Sequence, residues 1–260
     1  VLEEHGRSSA SLAGAFVSPD PNAQTPAVLQ SPSVNHLLGT NDVGQDIWAR
    51  LASGTCNSLA VGIAVGLFAT LLSIAAGVPA ALRGGLYERM IMRVADAFLV
   101  LPTIVVAVLV AAFIQPGIWG LVLLISLLHW QGGARILRAQ TLALKQEAHV
   151  DAAKTFGGRT WHLLRRHIVP DLAPLLIVGF VQRARMAVLM EAGLAFIGIT
   201  TPSMVSWGTM IRHAMDFYYL PAWQWWLLPP GICLSLLIMA FVFIGHTLEH
   251  IMEPTRNRHA

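Results

Sequence analysis

Arg183 and Arg185 stand inside an apolar run from 172 to 196, and Glu191 follows them in the same run. A charged side chain at the centre of a bilayer costs about 2.5–3.5 kcal/mol on insertion scales, so such groups face protein or water and take partners. Two positions apart on a helix, the arginines point to different faces. Glu191 lies eight and six residues further on, beyond the i,i+4 reach of a same-helix pair. Two kinds of chemistry fit these residues. Either each arginine pairs with an acid or a carbonyl on a neighbouring helix, or one or both line a water-filled path and favour anionic groups such as a carboxylate.

Ten histidines and nine methionines raise metal chemistry, since imidazole and thioether ligands suit nickel and copper. His246 and His250, with Glu249, have the H-x-x-E-H spacing of one zinc peptidase group. A lone short motif is a weak warrant, and the sequence assigns no metal site. Cys56 and Cys233 are far apart and form no C-x-x-C pair, so a zinc or thioredoxin-type reading has no support. No G-x-x-x-x-G-K-[ST] phosphate loop is present, so this chain holds no ATPase motif of that kind.

Between the apolar runs lies a basic, helix-forming segment, 149–170. Asp151, Ala152 and Ala153 open a short helix, Gly157 and Gly158 break it, and Trp161 to His167 form a second helix ending at Pro170. Two helices bent at a Gly pair make an elbow, because glycine accepts backbone angles costly to other residues. The small alanines let another surface approach closely. Charge alone is also compatible with a solvated basic loop; the Gly-pair elbow favours a docking element.

The elements that position these groups follow from composition. Of 260 residues, 55% are hydrophobic and only 12% charged, with mean hydropathy +0.61, too few charges to clothe a soluble globule of this size. Apolar runs near 58–82, 95–115, 117–133, 172–196 and 226–247 each approach the roughly 20 residues that cross about 30 Å of hydrocarbon as a helix. Lipid offers the backbone no hydrogen-bond partners and the runs lack the alternation of barrel strands, so an all-α polytopic bundle with five spans is expected. Arg and Lys concentrate in 83–94, in 134–171 and in the tail (Arg256, Arg258), whereas the alternate segments hold only Arg7, Arg50 and Arg212. Basic loops stay on the cytoplasmic side. Residues 1–57 are therefore expected outside, 58–247 as the membrane domain with a cytoplasmic loop at 134–171 and an outer loop at 197–225, and 248–260 as a cytoplasmic tail. With a polar outer segment ahead of the first span and Val at position 1, a further span before Val1 is expected, the alternative being initiation at a non-Met codon.

D-A-A-x-x-x-G from Asp151, nine residues, then H-I-V-P ending at Pro170 resembles the "EAA" signature of ABC importer permeases, with Asp151 in place of Glu and His167 in place of Ile. The H-I-V-P ending resembles the peptide and nickel branch. Leu38 to Asp46 resembles that branch's L-G-T-D-x-x-G-R-D element, with Asn41 and Gln45 replacing Asp and Arg. M-R-V-A-D from Met92, M-E-A-G-L-A-F-I-G from Met190 and S-W-G-T-M from Ser206 follow in the expected order. From Gly245 the chain aligns with a G-D-x-L-R-D-x-L-D-P tail.

The resemblance implies the type I ABC importer permease fold in a bacterial inner membrane. It also implies a second homologous permease, two ATPase subunits that bind ATP and magnesium, and an extracytoplasmic substrate-binding protein. It gives this chain no cofactor and no nucleic-acid partner. The coupling element that meets the ATPase would comprise Asp151, Ala152, Ala153, Gly157, Trp161, His167 and Pro170. Arg183, Arg185 and Glu191 are path candidates. In the outer loop Trp207, Arg212 and Asp216 are candidates for docking the binding protein, although aromatics there also mark the membrane interface. Peptides are the default cargo by resemblance, and nickel or a nickel chelate comes next. The alternative is a self-sufficient secondary transporter or channel, which usually shows an internal repeat; none is evident.

Overall fold

The computed structural model describes residues 20–147, 166, 168–201 and 204–252. Helix α1 spans Ile47–Arg83, α2 Gly85–Val100, α3 Thr103–Ile114, α4 Ile118–Leu127 and α5 Trp130–Leu144. After the basic segment come α6, Val169–Ile197, α7, Trp207–Met215, α8, Trp223–Trp226, and α9, Leu228–Met252. Three helices are long and apolar enough to span a membrane singly, and five spans result if each bent pair, α2 with α3 and α4 with α5, counts as one.

Helix α1 starts 11 residues before the expected boundary at 58. Asp46 caps it, its carboxylate accepting from the Ala49 N–H at 2.9 Å, and satisfying one of the donors that a helix start leaves orphaned. Hydropathy misses this opening because Arg50, Ser53, Thr55 and Asn57 dilute it. The 37 residues reach about 55 Å, well beyond the hydrocarbon thickness of about 30 Å.

The span at 95–115, where Pro102 leads one to expect a kink, is broken outright: α2 and α3 meet at 84°. Pro102 is responsible, since it donates no hydrogen bond and pushes Leu101 to extended angles, φ −75° and ψ 130°. The expected loop 83–94 is helical instead, and charge ties α2 to α5. Asp96 pairs with Arg135 at 2.9 Å and Glu88 with Arg138.

The run at 117–133 bends too, by 45° between α4 and α5. Side chains take up the carbonyls freed there. His129 Nδ1, in its protonated tautomer, donates to the Ile125 carbonyl at 2.9 Å, and Gln131 Nε2 donates to that of Leu128 at 2.8 Å. Residues 134–144, expected to open the basic loop, continue α5.

Helix α1 is the spine, with α5 and α6 laid along it. Close approach is possible because the contact positions are small: Ala69, Ala80, Ala134, Ala184 and Ala187 are wholly buried. A Cβ added to Gly62 would stand 2.6 Å from Val188, and one on Gly66 3.0 Å from Phe180. Small residues let helix backbones approach where lipid supplies no hydrophobic drive for association. Three apolar clusters stack along this spine. Ile47, Leu51, Trp207, Met210 and Trp226 form the layer at the α1 N-terminus; Val61, Val65, Leu121, Ile125 and Leu194 form the middle; Val78, Leu137, Ile168 and Leu172 form the far end. Helix α9 is the least covered, with 6% of its apolar window buried inside the chain against 39% for α1, which leaves most of it facing lipid or other subunits.

Candidate functional site

Helix α6 carries the charges singled out in the sequence. Pro170 lies in its first turn, where the missing N–H costs nothing. About 20 Å further along, Arg183 reaches across to α1 and α5, and Nη1 donates to Thr70 Oγ1 at 3.2 Å. The guanidinium occupies space that two glycines vacate. A Cβ on Gly133 would collide with Nη2, and one on Gly179 would lie 2.6 Å from Nη1. Beside it, Ser73 Oγ lies 2.7 Å from the Trp130 carbonyl and 2.7 Å from that of Ala69. Arg183 therefore sits in a built polar seam at the junction of α1, α5 and α6.

Arg185 points to a different face, as its spacing requires, and its Nε is buried without a hydrogen-bond partner. Among the described residues, ion pairs within 4.0 Å join His36 to Asp46, Arg135 to Asp96, Arg138 to Glu88 and His246 to Glu249. Neither α6 arginine is among them.

Glu191 has a different setting. It is 0% exposed, so in this conformation it faces the chain's own helices and not an open path. Ser58 Oγ of α1 donates to its Oε2 at 3.3 Å, and Ser206, the N-cap of α7, lies beside it. The carboxyl joins α1, α6 and α7, a role the sequence alone did not reveal.

The coupling candidates Asp151, Ala152, Ala153, Gly157, Trp161 and His167 lie outside the described residues. Both flanks of their segment are described, and both are pinned to the C-terminal part of α1. Before it, Lys145 Nζ donates to the Ala81 carbonyl at 3.0 Å. After it, Ile168, 1% exposed, packs with Val78, Leu137 and Leu172. The contacts of Lys145 with Ala81 and of Ile168 with Val78 join positions more than 60 residues apart, beyond what local sequence reveals.

Trp207 does not fit its expected docking role. It is 3% exposed, its indole N–H donates to the Leu51 carbonyl at 3.4 Å, and Gly54 lies against its ring. It belongs to the core layer with Ile47, Leu51, Met210 and Trp226, and the Ser206 capping box closes the start of α7 beside it. Arg212 and Asp216 are exposed. The Arg212 guanidinium lies against Gly198, the left-handed cap of α6, where a cation also complements the helix dipole. Nearby, the exposed His213 imidazole is held below its usual range, chiefly by desolvation and then by Arg50 and Arg212, while Asp42 and Asp216 oppose the shift.

The two departures in the Leu38–Asp46 element touch each other. Asn41 Nδ2 donates to Gln45 Oε1 at 2.8 Å, and Arg50 Nη1 donates to the same oxygen at 2.6 Å. A neutral amide pair thus stands where the resembling pattern has an acid and a base.

The profile of the family described as "Binding-protein-dependent transport system inner membrane component" matches residues 62–258. This chain belongs to that family. Among its relatives, a Brucella suis protein named as a peptide permease is 34% identical over 229 residues, 88% of this chain and 76% of the relative. An Escherichia coli K12 protein named as a D,D-dipeptide transport system permease is 33% identical over 238 residues, 90% and 79% of the two chains. An inward-facing structure of the MetNI methionine ABC transporter shares the fold at TM-score 0.59 and 17% identity, covering 76% of this chain and 96% of that one. The chain is a membrane-spanning permease subunit of an ATP-driven importer, and a multi-pass inner-membrane protein. In this family the ATPase site belongs to other subunits, in keeping with the missing phosphate loop.

Proposed function

We propose that this permease forms half of the path of a peptide importer, with α6 as the wall that meets the cargo. The supporting observation is that Arg183 and Arg185 lie inside a span with no carboxylate in ion-pair range among the described residues. Two uncompensated cations in low dielectric attract an anionic group and repel a bare divalent cation. The C-terminal carboxylate of a peptide suits them, as does an anionic metal chelate, whereas free nickel does not. The peptide-transport names of the relatives support the same reading.

In this reading a second, homologous permease supplies the other half of the path. Two ATPase subunits bind ATP and magnesium and take up the segment 149–170, and an extracytoplasmic binding protein delivers the peptide to the face carrying Arg212 and Asp216. The chain itself binds no cofactor and catalyses no reaction. Its C-terminus is cytoplasmic, as the Lys and Arg distribution requires. Closure of the ATPases moves the elbow, and Pro170 passes that movement directly to α6 because the segment ends where the helix begins.

The test is peptide uptake by the assembled transporter in proteoliposomes, normalised to permease content. Arg183→Ala and Arg185→Ala should each lower uptake of a peptide with a free C-terminus at least tenfold, equivalent to about 1.4 kcal/mol, and Lys replacements should recover part of it. Uptake unchanged in both alanine variants would overturn the assignment.

A further inference from the structure

The C-terminal end of α9 carries two imidazoles to which the proposed transport path assigns no role. His246 and His250 lie one turn apart and are exposed, with Nε2 atoms 3.1 Å from each other. Their rings are steeply inclined, at 74°, with centroids 4.3 Å apart. When two neutral imidazoles face each other through Nε2, only one of those nitrogens carries the shared proton. A metal ion accepts both lone pairs. With metal–nitrogen bonds of about 2.0–2.1 Å, adjacent ligands on one ion stand about 2.8–3.4 Å apart between right-angled and tetrahedral geometry, a range that includes the observed separation.

A second observation concerns the other side of the first ring. Glu249 Oε2 lies 4.0 Å from His246 Nδ1. At that distance the carboxylate acts on the ring through its charge, favouring hydrogen on Nδ1 and leaving Nε2 as the ligand; a closure of about 1 Å would make the hydrogen bond common beside metal-bound histidine. All three residues belong to one helix, so binding orders little additional chain. The family-like tail pattern has Asp, Arg and Asp at these three positions, so the cluster departs from that pattern.

We propose that His246 and His250 form an exchangeable site for a divalent late transition-metal ion, bound through both Nε2 atoms, with Glu249 as the positioning residue. Among the described residues no group of three or more His, Cys, Asp and Glu side chains is placed to hold a metal. Water therefore completes the coordination, and the ion exchanges readily. Copper binds more tightly than nickel or zinc at such nitrogen sites, and the oxygen-seeking magnesium and calcium do not compete. The bound ion would staple the last turn of α9, from which the tail departs. This inference is independent of the cargo.

The experiment uses tag-free, full-length protein in detergent, stripped with chelator and titrated with Cu2+. Electron paramagnetic resonance should report two equatorial nitrogens, and a competing chelator should give the affinity. His246→Gln and His250→Gln should each weaken the two-nitrogen site at least tenfold, and Glu249→Gln should weaken it by about tenfold. In the unmodified protein, Zn2+ should slow diethyl pyrocarbonate modification of His246 and His250, read by mass spectrometry, and Mg2+ should not. Unchanged copper affinity in both histidine variants, or equal modification rates with and without Zn2+, would overturn the site.

Discussion

Gly77→Ala sets two physical effects against each other with opposite signs. Gly77 lies inside α1 and is buried, and by helix propensity alone alanine there gains about 0.8–1.0 kcal/mol. The tertiary contact predicts a loss. A Cβ at Gly77 would collide with the Ala134 carbonyl oxygen and stand 3.0 Å from that residue's carbonyl carbon and Cα. These are backbone atoms of α5, so no side-chain rotation relieves the contact and the two helices must separate. Backing them off by about 0.5–1 Å forfeits a quarter to a half of the dispersion attraction at each facing pair. Those pairs include Val78 with Leu137, and the Lys145 bond to Ala81 lies on the same seam. Overpacking of this kind costs about 1–3 kcal/mol, so subtracting the propensity gain leaves a net loss of up to about 2 kcal/mol. Gly132→Ala on α5 is the control, since a Cβ there meets nothing within 4 Å. Thermal unfolding of the purified permease in detergent should give a lower midpoint for Gly77→Ala, by about 2–4 °C per kcal/mol, and an equal or higher midpoint for Gly132→Ala. If Gly77→Ala melts at or above the parent temperature, the close α1–α5 crossing is wrong.

Further outcomes follow from other sites. Trp207→Ala should cost about 3–5 kcal/mol, as for other large core truncations, and show as reduced membrane abundance; normal abundance with weakened binding-protein affinity would restore the docking role. His213 is held below its usual range, so its protonation penalises the folded cap. That penalty is absent above the usual value near 6.5, grows as pH falls through it and is complete below the folded value. The thermal midpoint should therefore drop further between about pH 7.5 and about pH 5.5 in the parent than in His213→Gln, and equal drops would refute the shift. Gly157→Asp, which puts a charge and a Cβ into the proposed elbow, should leave the permease inserted while ATP hydrolysis continues without uptake; normally coupled transport would count against the lever.

The amino-acid sequence by itself determined class, family and the order of elements. Charge scarcity excluded a soluble globule, the length of the apolar runs required helices, and several short motifs in one order carried the permease resemblance. These properties are sums over local residues, so no knowledge of the fold is needed to read them. It also located the break at Pro102, although only as an expected kink, because a proline acts on its own backbone.

Tertiary structure decided what each charged or aromatic residue does. In sequence Arg183 and Glu191 are alike as charges in one apolar run, and Trp207 is one aromatic among several in an outer loop. The fold separates them because their partners are remote: Thr70 and Gly133 for Arg183, Ser58 for Glu191, and Leu51 for Trp207. Likewise Lys145 and Ile168 became anchors only when α1 brought Ala81 and Val78 against them. Burial and pairing depend on which helices cross, and that depends on small residues such as Gly77 and Ala134 meeting across a gap that local sequence does not encode.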